Sequence, residues 1–102
     1  MIAHLSRAML AIVLAAAALA APADDKLGRS IAATCTGCHG TDGVSAGGIP
    51  TLAGVDKDRL AGLMREFRDG NRPATVMHQH AKGYSDEQID AVAAWFAARK
   101  AR

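Results

Sequence analysis

Aromatic side chains are scarce in this 102-residue sequence: Phe67, Tyr84, Trp95 and Phe96 are the whole complement, 4% of the chain. A domain of about 80 residues rarely nets more than ~3–5 kcal/mol from its own core without a staple, metal or cofactor. Something beyond the side chains is expected to complete this interior. Cysteine is limited to Cys35 and Cys38. An excess of one charge is missing too, since twelve Lys and Arg stand against ten Asp and Glu. With no block of like charge and no interleaving of basic and aromatic residues, nucleic-acid binding is excluded. No alternating apolar pattern of strand length occurs, which excludes a sheet and leaves a small all-α class. No internal repeat or low-complexity linker follows Asp24, so one domain fits.

The 50% apolar content is inflated by alanine, because residues 8–21 contain no polar side chain. Arg7 precedes this run and small residues close it, at Ala18-Leu19-Ala20 or Ala21-Pro22-Ala23. That is the three-part layout of a secretory signal peptide. A bilayer-spanning helix needs ~20 predominantly apolar residues, so the run is short for a permanent anchor. Residues 1–23 are therefore expected to be a cleaved export signal and residues 24–102 the mature domain, periplasmic or otherwise exported, with no membrane span after cleavage. The compartment is oxidising, and a bare thiol pair there would not stay reduced.

Three helices are expected in the mature chain. Asp24 and Asp25 give an acidic start, and Leu27 and Ile31 an i, i+4 seam, for a short helix from Asp25 to about Thr34. Five glycines and Pro50 make residues 40–55 a loop. Asp56 or Asp58 caps a second helix whose Leu60, Leu63, Met64 and Phe67 fall at i, i+3, i+4, i+7 and which ends at Asp69-Gly70-Asn71. A nonperiodic stretch runs from Pro73 to Tyr84. Then Ser85-Asp86-Glu87-Gln88 forms a capping box ahead of Ile89, Val92, Ala93 and Phe96, in a last helix reaching about Arg99.

The chemistry lies in Cys35-Thr36-Gly37-Cys38-His39, the C-x-x-C-H attachment signature of c-type haem. Two thiols about one helical turn apart can each add to a vinyl group on one haem edge, and the next residue, His39, then lies under the iron as an axial ligand. Its other ring nitrogen needs an oriented acceptor. At residue frequencies of ~1–2%, chance produces this motif in a chain this short on the order of once in a few thousand sequences. Two other readings compete with this one. A Cys35–Cys38 disulfide of thioredoxin type lacks the alternating strands and helices of that fold, and zinc held by the cysteines with His78 and His80 meets an H-x-H spacing that finger-like sites avoid. The sixth ligand lies among Met64, Met77, His78 and His80. Met64 sits on a helical stripe, where methionine is core filler. Met77 lies where no helical face explains it and is favoured, with His78 and His80, read as solvated loop histidines, as alternatives.

The ordered set Cys35-x-x-Cys38-His39-Gly40, Gly48-Ile49-Pro50-x-Leu52-Ala53-Gly54, Met77 and Tyr84-Ser85-Asp86-Glu87-x-Ile89 resembles class I cytochrome c over nearly all of residues 26–99. The resemblance implies three or more helices wrapped around one covalently bound haem, the first and last crossing near their ends. It implies Cys35 and Cys38 as thioether donors, His39 and Met77 as iron ligands, the Pro50 carbonyl as acceptor from the His39 ring, Leu52 as a haem-packing residue, and Trp95 as the aromatic that packs on the first helix. Gly28 stands seven residues before Cys35, one fewer than in many members.

More narrowly, Gly43-Val44-Ser45, Phe67-Arg68-Asp69-Gly70, residues 72–77 and residues 81–87 are similar to the cytochrome subunits of flavocytochrome c sulfide dehydrogenases. That similarity implies docking beside an FAD-carrying flavoprotein that oxidises sulfide and passes electrons singly to haem. A freely diffusing donor to a terminal oxidase or reductase is the alternative. A haem enzyme or sensor with an open sixth position is a third reading, and His78 and His80 are what the sequence offers it. The basic residues Lys57, Arg59, Arg65, Arg68, Arg72 and Lys82 are read as a solvated surface rather than a docking cluster.

Overall fold

The computed structural model describes residues 24–101, and every described element is helical. The export-signal reading concerns residues 1–23 and lies outside the described residues. No helix among the described residues is long and apolar enough to cross a membrane.

Helix α1 spans Asp24–His39. It runs five residues past the end expected near Thr34. The Thr34 and Thr36 hydroxyls donate back to the carbonyls of Ile31, at 2.7 Å, and Ala33, at 3.0 Å, so they do not compete with the helix for its turns. What stops α1 is Gly40, at φ 87°, which a side chain would resist and whose added Cβ would collide with the Val44 carbonyl. A 3₁₀ turn, Thr41–Gly43, follows.

Helix α2, Lys57–Arg68, is capped by Asp56, whose carboxylate accepts the Arg59 N–H at 3.1 Å; Asp58 sits in the first turn, where the helix dipole favours it. Residues 73–84 are not wholly irregular: a five-residue helix, α3, Met77–Ala81, occupies their middle. One turn is too short to leave a periodic signal. Helix α4, Asp86–Ala97, opens with the expected capping box, Ser85 Oγ accepting the Gln88 N–H at 3.2 Å and Gln88 Oε1 accepting the Ser85 N–H at 2.8 Å.

Helix α4 is the central element, with α1 and α2 packed against it and α3 resting on α2. The core joins Ile31 and Ala32 of α1, Leu60 and Ala61 of α2, and Ile89, Val92, Ala93 and Phe96 of α4. Gly28 is buried where α1 crosses α4: a methyl there would stand 3.0 Å from both the Ala91 carbonyl carbon and Trp95 Cβ, and closer still to the Ala91 oxygen. The helices therefore meet at Gly28 despite its one-residue offset, and Trp95 does lie against α1.

On the solvent side, Arg65 pairs with Asp86 at 3.1 Å and Asp90 at 2.7 Å, and Arg68 with Asp86 at 2.8 Å and Asp69 at 2.9 Å. Both guanidiniums hold the Asp86 carboxyl below its ordinary range, Arg68 most strongly. Arg72 pairs with Glu66 at 3.1 Å. Half of the six cations considered as a possible cluster are thus engaged with carboxylates.

Candidate haem site

Because α1 continues to His39, the motif residues Cys35, Cys38 and His39 occupy the last turn and a half of one helix. At about 100° per residue they fall on one face, within an arc of roughly 100°. Both thiols are free. Cys35 is half-buried against the core and Cys38 is exposed. Burial pushes the Cys35 thiol pKa up, the Thr34 hydroxyl partly opposes this, and nearby Cys38 adds to the rise. An open cleft of ≈ 320 Å³ lies beside Cys38, lined by Gly37, Gly40 and residues 45–49.

The His39 ring is half-buried, with Nδ1 2.7 Å from the Pro50 carbonyl oxygen. A carbonyl can only accept, so Nδ1 carries a proton and Nε2 is the nitrogen this contact leaves for a metal. Pro50 belongs to a loop held at both ends. The Gly43 carbonyl accepts the N–H groups of Leu52, at 2.8 Å, and Ala53, at 3.2 Å, and the Phe96 carbonyl accepts the Gly54 N–H at 3.0 Å. Leu52 is half-buried and packs on the core.

Met77 is half-buried at the start of α3. It is carried by an element that packs on α2, whereas α1 packs on α4, so the motif and Met77 stand on separate supports. Met64 packs on the core edge, as filler does. His80 is exposed. His78 departs from the solvated loop histidine expected: it lies in the first turn of α3, half-buried, with Nδ1 enclosed and without a hydrogen-bond partner. The zinc arrangement does not form, since among the described residues no three His, Cys, Asp or Glu side chains gather to hold a metal ion.

The donor set and the core together fit a haem. Two free thiols, an imidazole with an uncommitted nitrogen and a thioether are the right donors. The buried core is rich in alanine, and Ile89 is its largest fully buried side chain. Leu27, Leu52, Val55, Met64, Tyr84 and Trp95 pack on its edge only partly covered. Sequence reasoning missed the roles of Gly43 and Phe96 in holding the Pro50 loop. Nothing local marks a pair 53 residues apart. It also missed the approach of the Thr34 and Tyr84 hydroxyls, at 3.4 Å, between α1 and the α4 entry.

Residues 22–96 match the family described as cytochrome c oxidase, cbb3-type, subunit III. The cytochrome subunit of sulfide dehydrogenase from Chlorobaculum tepidum is 39% identical over 75 residues, covering 74% of this chain and 68% of that protein. A thiosulfate dehydrogenase electron acceptor from Thiomonas intermedia is 40% identical over 83 residues, 79% of this chain but only 38% of that longer protein. Cytochrome c-554(548) from Halomonas halodenitrificans is 38% identical over 85 residues and is matched over 96% of its length.

Proposed function

The chain belongs to the cytochrome c family and is an electron-transfer protein, and from that premise we propose that it carries one haem c held by Cys35, Cys38, His39 and Met77 and serves an enzyme that oxidises reduced sulfur outside the cytoplasm. The haem supplies a one-electron couple at its iron. Cys35 and Cys38 fix its edge through thioethers. His39 binds iron through Nε2, and the Pro50 carbonyl holds its Nδ1 proton, setting the ring plane and strengthening the nitrogen as a donor. Met77 would supply its thioether sulfur as a second iron ligand, which would raise the potential relative to a second imidazole. Leu52 excludes water from the packed side. Residues 1–23 direct export, with cleavage before the domain of residues 24–102.

The observation that carries this reading is the 2.7 Å contact of His39 Nδ1 with Pro50 O, because it leaves a histidine beside two free thiols with Nε2 uncommitted to any protein partner in that contact. The partner we infer is an FAD-containing, sulfide-oxidising subunit. The similarity to a cytochrome subunit of sulfide dehydrogenase supports it, as does the engagement of Arg65, Arg68 and Arg72 with carboxylates, which leaves fewer free cations for transient, salt-sensitive docking. The thiosulfate dehydrogenase electron acceptors among the relatives favour a second reading, a carrier for thiosulfate oxidation.

Covalent attachment predicts that the denatured protein keeps its colour through acidified organic extraction, and complete loss of colour refutes it. Met77→Leu abolishes the ferric methionine–iron absorption band and lowers the potential. If Met64→Leu does this and Met77→Leu does not, the ligand assignment is wrong. Protein purified from its source is reduced by sulfide only with a copurifying flavoprotein; reduction dependent on thiosulfate and its dehydrogenase supports the second reading, and equal reduction by unrelated donors overturns both.

A further inference from the structure

The His39–Pro50 contact joins the end of α1 to a glycine-rich loop that has no regular structure of its own beyond a 3₁₀ turn. What holds that loop is α4. The Phe96 ring, 2% exposed, lies directly on the Gly43 backbone, where an added Cβ would stand 2.7 and 2.8 Å from two ring carbons. Gly43, at φ 80°, turns its carbonyl onto the Leu52 and Ala53 N–H groups. The Phe96 backbone carbonyl then takes the Gly54 N–H. Ring and carbonyl of one residue thus grip both ends of residues 43–54, and Pro50 lies between those grips.

We propose that Phe96 is a positioning residue for His39: by seating Gly43 and Gly54 it sets the place of the Pro50 carbonyl, and with it the strength of the bond to the His39 Nδ1 proton. The proposal rests on the reading of His39 as the iron ligand. A strong Nδ1–H···O bond makes the ring a better donor and favours the oxidised metal, so loosening it raises the potential. The influence of Phe96 passes through the loop backbone, by way of Gly43 and Gly54.

The test uses haem-loaded wild-type, Phe96→Leu and Ile89→Val protein. Ile89 is fully buried in the same helix, is not one of the groups that seat Gly43 or Gly54, and its truncation controls for loss of stability. The readouts are the reduction potential and, by proton NMR of the ferrous protein, exchange of the His39 Nδ1 proton, each compared with global stability from urea unfolding. In Phe96→Leu the Nδ1 proton exchanges roughly tenfold faster than the change in global stability accounts for, and the potential rises. Ile89→Val lowers stability and leaves both readouts in place. Should Phe96→Leu fail to accumulate with haem, Phe96→Met, longer in reach and more adaptable, replaces it with the same expectation. If the Phe96 variant changes the potential and the exchange no more than Ile89→Val at equal stability, the proposal is overturned while the haem reading stands. If wild-type protein holds no covalent haem or shows no His39 ligation, the underlying reading has failed instead.

Discussion

Replacing Gly28 by alanine sets two effects of opposite sign against each other, and the structure decides between them. Alanine is the better helix former by about 1 kcal/mol in a helix interior. The new methyl, however, would lie 3.0 Å from the Ala91 carbonyl carbon and from Trp95 Cβ, and closer still to the Ala91 oxygen. None of these is the free end of a flexible side chain, so relief requires α1 and α4 to separate along their main contact. Overpacking of this kind costs ~1–3 kcal/mol, and a rigid backbone opponent places it at the upper end. The net loss is then about 2 kcal/mol. With a urea m-value of ~1–2 kcal/mol/M for a domain this small, the unfolding midpoint of the haem-loaded protein falls by roughly 1–2 M. Gly62→Ala in α2 is the matched control, because nothing lies within 4 Å of its added Cβ, and it should raise stability by up to ~1 kcal/mol through propensity alone. Equal stabilisation by both substitutions would refute the close crossing of α1 on α4.

Ser85→Ala removes the Oγ that accepts the Gln88 N–H, leaves the backbone N–H of residue 85 donating to Gln88 Oε1, and is expected to cost about 1 kcal/mol of unfolding free energy by urea titration. Asp86, held below its ordinary pKa by Arg68 and Arg65, contributes stability that is present above the unfolded carboxylate pKa and is lost as pH falls through the lower folded value; Asp86→Asn therefore flattens the stability profile below about pH 4, measured as unfolding midpoint against pH, and a profile as steep as wild type refutes the pairing. Cys38→Ala leaves one thioether at best and is expected to accumulate poorly, read as haem absorbance per unit of protein.

What was legible in the sequence is what nearby residues decide among themselves. The Ser85–Gln88 box, the Asp56 cap and the α2 stripe of Leu60 and Met64 each act within four residues, and each lies where spacing put it. The C-x-x-C-H motif is equally local. Helix α1 outruns the end expected near Thr34 because the threonine hydroxyls turn back onto the helix's own carbonyls and Gly40 delivers the stop. Helix α3 was invisible because one turn carries no periodicity. The ion pairs of Arg65 and Arg68 with Asp86 and Asp90 were out of reach for another reason: each joins residues about twenty positions apart whose approach depends on how α2 lies on α4. The grip of Phe96 on Gly43 is the extreme case.

These long-range contacts connect stability to redox function. The scarcity of rings in the sequence leaves an alanine-rich core, in which Phe96 is the one buried aromatic. Its ring closes the core and lies on Gly43, its backbone carbonyl takes the Gly54 N–H, and together they seat the loop that carries Pro50. At Phe96 packing and ligand geometry are coupled, so a substitution there should move stability and potential together, whereas one at Ile89 should move stability alone.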